Sequence, residues 1–383
     1  MKPSGHKPYW LRVSDVQGSY TIPYIQSHRD LSFRVDFKAL PQGASRATIV
    51  ISCDGEDVRR GVVTVSSPHV LFSCLAPGEY TVSVTVVDCA GETQQHFGYS
   101  RIGIGTVVAA LGDSLTEGYH GHGFWRQILD LCADDFPASA VSVDGRNFPQ
   151  FSPTTHIHRP SVNCFQSWMT RLNNLLSEAW KVPVFVANEG WGGYTSADYL
   201  TMMEQNCDGW CDRVRQLSPA VWLIHLGVND ERHGVSGGEF ETNLRGIVKL
   251  LLGEFGAAPE NIYLARPSYD YFPGAAAVLR TYIAQIEAVV ESLGVQAGPD
   301  FFATFSQDRE TWYGDDPVHP GPEGMDLMAD LWAERLSSHV SASPDSVPHE
   351  TRQSAAQRER TTAVDCLILP APSHPQPPQE DMS

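Results

Sequence analysis

The sequence predicts an α/β domain with a parallel sheet covered by helices on both faces over residues 105–340, preceded by an all-β unit over 1–104. Apolar and polar residues alternate in the first hundred positions, and from residue 105 short apolar runs alternate with helix-period stretches. Beyond Val340 the chain turns Pro/Ser/Gln-rich and periodicity stops. At 383 residues, 42% of them apolar and 19% charged, the chain also exceeds what one hydrophobic core organises.

In the all-β unit, residues 31–37 and 80–87 alternate and 47–52 is a β-branched run, with turn signals at Asp54-Gly55, Pro77-Gly78 and Ala90-Gly91. This spacing predicts an antiparallel sandwich. The segment Leu75-Ala76-Pro77-Gly78-Glu79-Tyr80 resembles the tyrosine corner of immunoglobulin-like and fibronectin-type domains, in which the hydroxyl closes on upstream backbone.

In the α/β domain, the apolar runs 107–111, 184–187, 221–226, 262–265 and 301–305 are the expected strands. The expected helices are 124–133, 166–180, 239–254, 275–293 and 322–338. Sheets of this kind bind ligands at the carboxyl ends of their strands. Residues 137–163, with four prolines, His156 and His158, lack a period and read as an inserted loop. The segment 341–383 reads as a disordered tail with a short docked patch at Leu367-Ile368-Leu369.

Charge and composition exclude several function classes. The net charge of −18 repels nucleic acid and anionic membrane surfaces. No apolar run reaches the roughly 18–20 residues of a membrane span. The start, Met1-Lys2-Pro3-Ser4-Gly5-His6, has no apolar leader core, which suits a cytoplasmic chain or a secreted one already trimmed. The eight cysteines are too sparse for a disulfide scaffold, and Cys207-x-x-x-Cys211 lacks the second ligand pair of a zinc site. Neither a Walker loop nor Gly-x-Gly-x-x-Gly opening a helix is present, so no nucleotide cofactor is implied.

Chemistry concentrates in four loops. Gly112-Asp113-Ser114-Leu115-Thr116-Glu117-Gly118 leaves the first parallel strand, where a serine hydroxyl stands beside helix N–H groups that favour developing negative charge. Taken alone, Ser114 is equally well read as a helix cap. The other three loops tip the balance: Asn188-Glu189-Gly190-Trp191-Gly192-Gly193-Tyr194-Thr195, Gly227-Val228-Asn229-Asp230, and Asp316-Pro317-Val318-His319-Pro320 before the last helix.

These blocks, in this order, resemble the SGNH or GDSL hydrolases, a family of esterases and lipases. The resemblance covers 105–340 and implies a flavodoxin-like, three-layer α/β/α domain. It implies Ser114 as nucleophile, His319 as general base and Asp316 as the carboxylate that holds the imidazole. The implied oxyanion hole combines the N–H groups of Ser114 and Gly193 with the Asn229 amide. A serine is a weak nucleophile until a neutral imidazole takes its proton, and a carboxylate on the other ring nitrogen fixes the tautomer. Asp315 is the competing carboxylate, and the spacing of the motif favours Asp316. The lipase-type Gly-x-Ser-x-Gly elbow is absent, since residue 116 is Thr.

A β-sandwich ahead of such a domain resembles the two-domain carbohydrate esterases, and Trp191 and Tyr194 beside the oxyanion loop suit sugar stacking, with Asp113 adjoining them. The expectation is therefore a serine esterase removing a short acyl group, acetyl above all, from a small-molecule or glycan ester through an acyl-enzyme, without metal or cofactor. A lysophospholipase or thioesterase, a sugar O-acyltransferase with the same triad, and a non-catalytic binder acting through the sandwich are the alternatives. His120, His122, His156 and His158 read as rim or surface residues, His225 as a core histidine, and His233 and Trp125 as pocket neighbours without motif support.

Overall fold

A computed structural model describes residues 24–35, 37, 40, 42–119, 142–143, 146–147, 168–207, 210–313, 316–337 and 365–368. The alternating N-terminal segments form β1 (Tyr24–Gln26), β2 (Leu31–Val35), β3 (Ala44–Cys53), β4 (Glu56–Thr64), β5 (His69–Phe72), β6 (Gly78–Asp88) and β7 (Thr93–Ile104). They build a five-stranded sheet of order β1-β7-β6-β3-β4, while β2 and β5 pair in a smaller sheet. Ile49, Ile51, Val82 and Val84 of the larger sheet share one apolar core with Leu31, Phe33 and Phe72 of the smaller.

The purely antiparallel arrangement expected from the sequence is corrected here, because the larger sheet is mixed: β1 runs parallel to β7. Alternation fixes which side chains face inward and leaves strand direction free. The tyrosine-corner hydrogen bond is present, with Tyr80 donating its hydroxyl to the Ala76 carbonyl at 2.5 Å.

Across Gly105 the chain continues from β7 into β8 (Thr106–Gly112) and the short helix α1 (Ser114–Glu117). Within the insertion, β9 (Ser142–Val143) and β10 (Arg146–Asn147) pair as a small hairpin. There follow α2 (Trp168–Trp180), β11 (Val184–Gly190), α3 (Ser196–Gln205), α4 (Trp210–Leu217), β12 (Val221–His225), α5 (Val228–Arg232) and α6 (Gly237–Glu254). The domain closes with β13 (Ile262–Arg266), α7 (Ala275–Leu293), β14 (Gln296–Asp300), α8 (Phe301–Phe305), α9 (Arg309–Trp312) and α10 (Pro322–Leu336).

The second sheet is parallel, with order β11-β8-β12-β13-β14, the flavodoxin-like sequence of second, first, third, fourth and fifth strands. Every residue of β8, β11 and β12 is buried, as befits strands covered on both faces. One face packs on α3, α4, α6 and α7 through Tyr199, Trp210, Phe240 and Tyr282. The other packs on α2 and α10 through Trp168, Leu172, Met325 and Trp332.

Two assignments along the chain differ from expectation. The run 301–305 is helix α8, and the edge strand is the preceding Gln296–Asp300. A run of five residues does not declare a period, and what decides here is Asp300, whose side chain caps the helix by accepting the Ala303 N–H. The proline in β14 is tolerable because the strand is an edge. In the C-terminal segment, β15 (Asp365–Ile368) lies parallel to β2 in the smaller sheet, at the position of the anticipated docked patch.

Register draws the carboxyl ends of three strands together, since Gly112 of β8 pairs with Gly190 of β11 and with His225 of β12. Gly190 is required by crowding: a Cβ there would lie 2.3 Å from the Glu117 nitrogen and 2.7 Å from the Thr116 carbonyl carbon. Gly190→Ala is therefore expected to cost about 1–3 kcal/mol of stability by forcing the backbone after Ser114 to shift. In α6, Gly253 has open space around its would-be Cβ, so Gly253→Ala is expected to gain up to about 1 kcal/mol. Paired urea melts measure both.

Candidate active site

Ser114 stands two residues past the end of β8 and opens α1, with 8% of its surface exposed. The turn is tied from both sides. Asp113 Oδ1 accepts the Leu115 N–H at 3.0 Å. Gly118 and Tyr119 return their N–H groups to the Ser114 carbonyl at 3.1 and 2.9 Å. Opposite, His319 Nε2 lies 3.0 Å from Ser114 Oγ, and its Nδ1 lies 3.2 Å from Asp316 Oδ2.

The same carboxylate organises its own loop. Asp316 Oδ1 accepts backbone N–H groups from Val318 at 2.7 Å and His319 at 2.8 Å. Burial alone would raise this carboxyl. Its bonds to the His319 side chain, and those from the His319 and Val318 backbone, outweigh that and hold it well below the usual carboxylate range. The competing Asp315 lies outside the described residues, as do His120, His122, Trp125, His156 and His158.

The loop after β11 starts with Trp191 donating its N–H to the Gly112 carbonyl at 2.9 Å, and Tyr194 closes it on the Trp191 carbonyl at 3.1 Å. Gly193 within it has φ +88°, a left-handed conformation natural to glycine. From α5, one N–H of the Asn229 amide goes to the Tyr194 carbonyl at 3.0 Å, which couples this helix to the Gly193 loop and leaves the second amide hydrogen for another acceptor.

Two of the expected sugar-facing residues are placed otherwise. Trp191 is 2% exposed and belongs to the helix-covered core, with Tyr194 stacked on it at 5.1 Å. Asp113 is 1% exposed, and one oxygen of its carboxyl caps α1. A sugar ring reaches neither: Trp191 is packed into the core on the helix-covered face of the sheet, with its N–H on the Gly112 carbonyl. Tyr194 is only partly buried. His225 is a buried core residue, 3.3 Å through Nε2 from Ser268 Oγ and pushed down to about 3 by burial. His233 is exposed at the end of α5.

Sequence reasoning passed over two residues. Asp230 is buried and accepts the Ser196 N–H through both oxygens at 3.0 Å and the Ser196 hydroxyl at 2.5 Å, pinning α5 to the start of α3. Its position beside Asn229 was the available signal. Tyr119 packs its ring 4.3 Å from the His319 imidazole. Only its place one residue beyond the Ser114 block pointed to it. Among the described residues no group of three His, Cys, Asp or Glu side chains could hold a metal ion.

The fold and these loops define a hydrolase that acts on esters. Residues 110–327 match the GDSL-like lipase/acylhydrolase family, and the chain belongs to it. No curated protein matches the chain. Solved structures similar to it include the lipase/acylhydrolase from Enterococcus faecalis, 15% identical over 61% of this chain and 96% of that one, with a TM-score of 0.42. Another is Axe2, an acetylxylan esterase from Geobacillus stearothermophilus, 19% identical over 61% of this chain and 94% of that one, with a TM-score of 0.42.

Beneath Ser114 the electrostatics are unusual. Burial pushes Asp113 up to about 7, opposed by its bond from the Leu115 N–H and reinforced by the Asp230 and Glu117 carboxylates. Because its folded pKa lies above the unfolded value of 3.8, the folded chain binds more protons across that interval, and stability falls as pH rises through it. Asp113→Asn keeps the cap acceptor and removes the ionisation. Relative to wild type, this variant is expected to gain stability between pH 5 and pH 7.5, by on the order of a few kcal/mol, in denaturant melts. Equal pH slopes for the two proteins would contradict the assignment.

Proposed function

We propose that this hydrolase is a serine esterase that removes short acyl groups, acetyl above all, from a carbohydrate by way of an acyl-enzyme. Residues 105–340 act as the catalytic unit, with 1–104 an accessory β unit. The observation that carries the reading is the pair of contacts at His319, 3.0 Å to Ser114 Oγ and 3.2 Å to Asp316 Oδ2. This is the spacing that proton transfer from a hydroxyl to an oriented imidazole requires.

In this mechanism Ser114 Oγ attacks the ester carbonyl as His319 Nε2 takes its proton. The N–H groups of Ser114 and Gly193 and the Asn229 amide receive the oxyanion, each donor contributing on the order of 10²–10³ in rate. The intermediate expels the sugar oxygen, which leaves with the proton from His319. Water, deprotonated by the same nitrogen, then attacks the acyl carbonyl, and collapse returns the proton to Ser114 with release of the acid. Asp316 stays ionised throughout, favouring the imidazolium that forms twice per cycle.

The acetyl and carbohydrate parts of the reading rest on the β unit ahead of the hydrolase domain, an analogy of architecture, and on the partly buried Tyr194 beside Gly193. No helix among the described residues is long and apolar enough to cross a membrane.

Ser114→Ala is expected to abolish turnover of p-nitrophenyl acetate while leaving the circular dichroism spectrum intact; retained turnover would end the nucleophile assignment. Across p-nitrophenyl esters from acetyl to octanoyl, kcat/KM is expected to fall steeply. A rise with chain length would move the substrate to lipids.

A further inference from the structure

Among the described residues, the exposed large apolar side chains are Val62, Val65 and Leu71 in the N-terminal unit and Phe272, 46% exposed, in the hydrolase domain. Phe272 sits in the loop after β13, at the carboxyl ends of the strands, where Ser114, Gly193 and Asn229 also lie. Two contacts bind that loop to the site. Tyr271 donates its N–H to the Pro317 carbonyl at 3.0 Å, next to Asp316. Asp270, fully buried, accepts the Phe272 N–H at 2.8 Å and Arg232 Nη2 at 3.1 Å.

Arg232 in turn stands three residues after Asn229 on α5, on the same helix face and one turn from the amide. Its guanidinium carbon lies 4.2 Å from the centre of the Phe272 ring. An exposed phenyl is thus held in place from its backbone and from one ring face, between the helix that carries Asn229 and the loop that carries His319.

We propose that Phe272 and Arg232 form a subsite for the neutral pyranose ring on the alcohol side of the ester. The inference rests on the carbohydrate reading above and specifies which residues recognise the sugar. A pyranose offers an apolar C–H face to an aromatic ring and hydroxyls to hydrogen-bond donors, and Arg232 keeps N–H groups beyond the one given to Asp270. An acetyl group ends one carbon past the carbonyl, so contacts a helical turn from Asn229 fall on the leaving sugar. Asp270 offsets the charge of Arg232, and Glu231 lies beside both. A uronate would meet net negative charge there, which favours a neutral ring. Because the ring is already fixed, little ordering cost falls on binding.

The test compares kcat/KM for p-nitrophenyl acetate and for an acetylated neutral xylo-oligosaccharide in wild type, Phe272→Leu and Phe272→Tyr. The oligosaccharide-to-p-nitrophenyl ratio is expected to drop about fivefold or more in Phe272→Leu and to stay within about twofold in Phe272→Tyr, which keeps the ring. An unchanged ratio in Phe272→Leu, with wild type cleaving the oligosaccharide, overturns the subsite and leaves the carbohydrate reading standing. Wild type that cleaves p-nitrophenyl acetate and not the oligosaccharide overturns both. A Phe272→Leu protein altered only in its octanoyl-to-acetyl preference would assign the ring to an acyl chain and overturn the subsite.

Discussion

The Asp316 carboxylate is the interaction on which the site depends. It accepts N–H groups from the Val318 backbone, the His319 backbone and the His319 ring, so one side chain both folds the loop and aims the imidazole. Two backbone bonds make the loop rigid over four residues. The ring therefore meets Ser114 without the entropy of a long search. The carboxylate also has to remain charged to do this, and its three donors keep it so despite burial.

Around this pair, buried acidic groups do structural work. Asp113 caps α1, Asp230 fastens α5 to α3, and Asp270 joins α5 to the loop after β13. Each is buried and each satisfies backbone N–H groups at a strand-to-helix junction. Such carboxyls fix loops that the sheet itself leaves free, at an electrostatic cost most evident in Asp113, whose neighbours include two other carboxylates.

Much of the hydrolase fold was legible because buried parallel strands are written as unbroken apolar runs and their helices as amphipathic repeats. Residues 107–111, 184–187, 221–226 and 262–265 all lie in or across strands of the sheet. The run 301–305 misled because its period was too short to read and a cap residue outside it decided the outcome. Helices α3 and α4 went unread between loop residues, where capping by Thr195 and closure by Asn206 define an element that apolar spacing only hints at.

At the site, motif and order pointed to the approach of Ser114, His319 and Asp316, and the loops pointed to the link between Asn229 and the Gly193 loop. Burial was not legible: an aromatic beside a glycine-rich loop looks equally like a binding platform or a core plug, and for Trp191 only the packing of the helices on that face of the sheet settles it. The contact of Tyr119 with His319 joins positions 200 residues apart in the chain and leaves no local trace.

The β unit and the hydrolase domain meet without a linker. Strand β7 runs through one glycine into β8, and Ile25, Ile102 and Ile104 pack with Val107, Phe185 and Leu217 in a shared core. The strand that leads to Ser114 is thus the direct continuation of a strand in the neighbouring sheet. The end of β7 and Ser114 are ten residues apart, seven of them the fully buried strand β8, so the turn that carries Ser114 is anchored through one continuous stretch of backbone to the core that both sheets share.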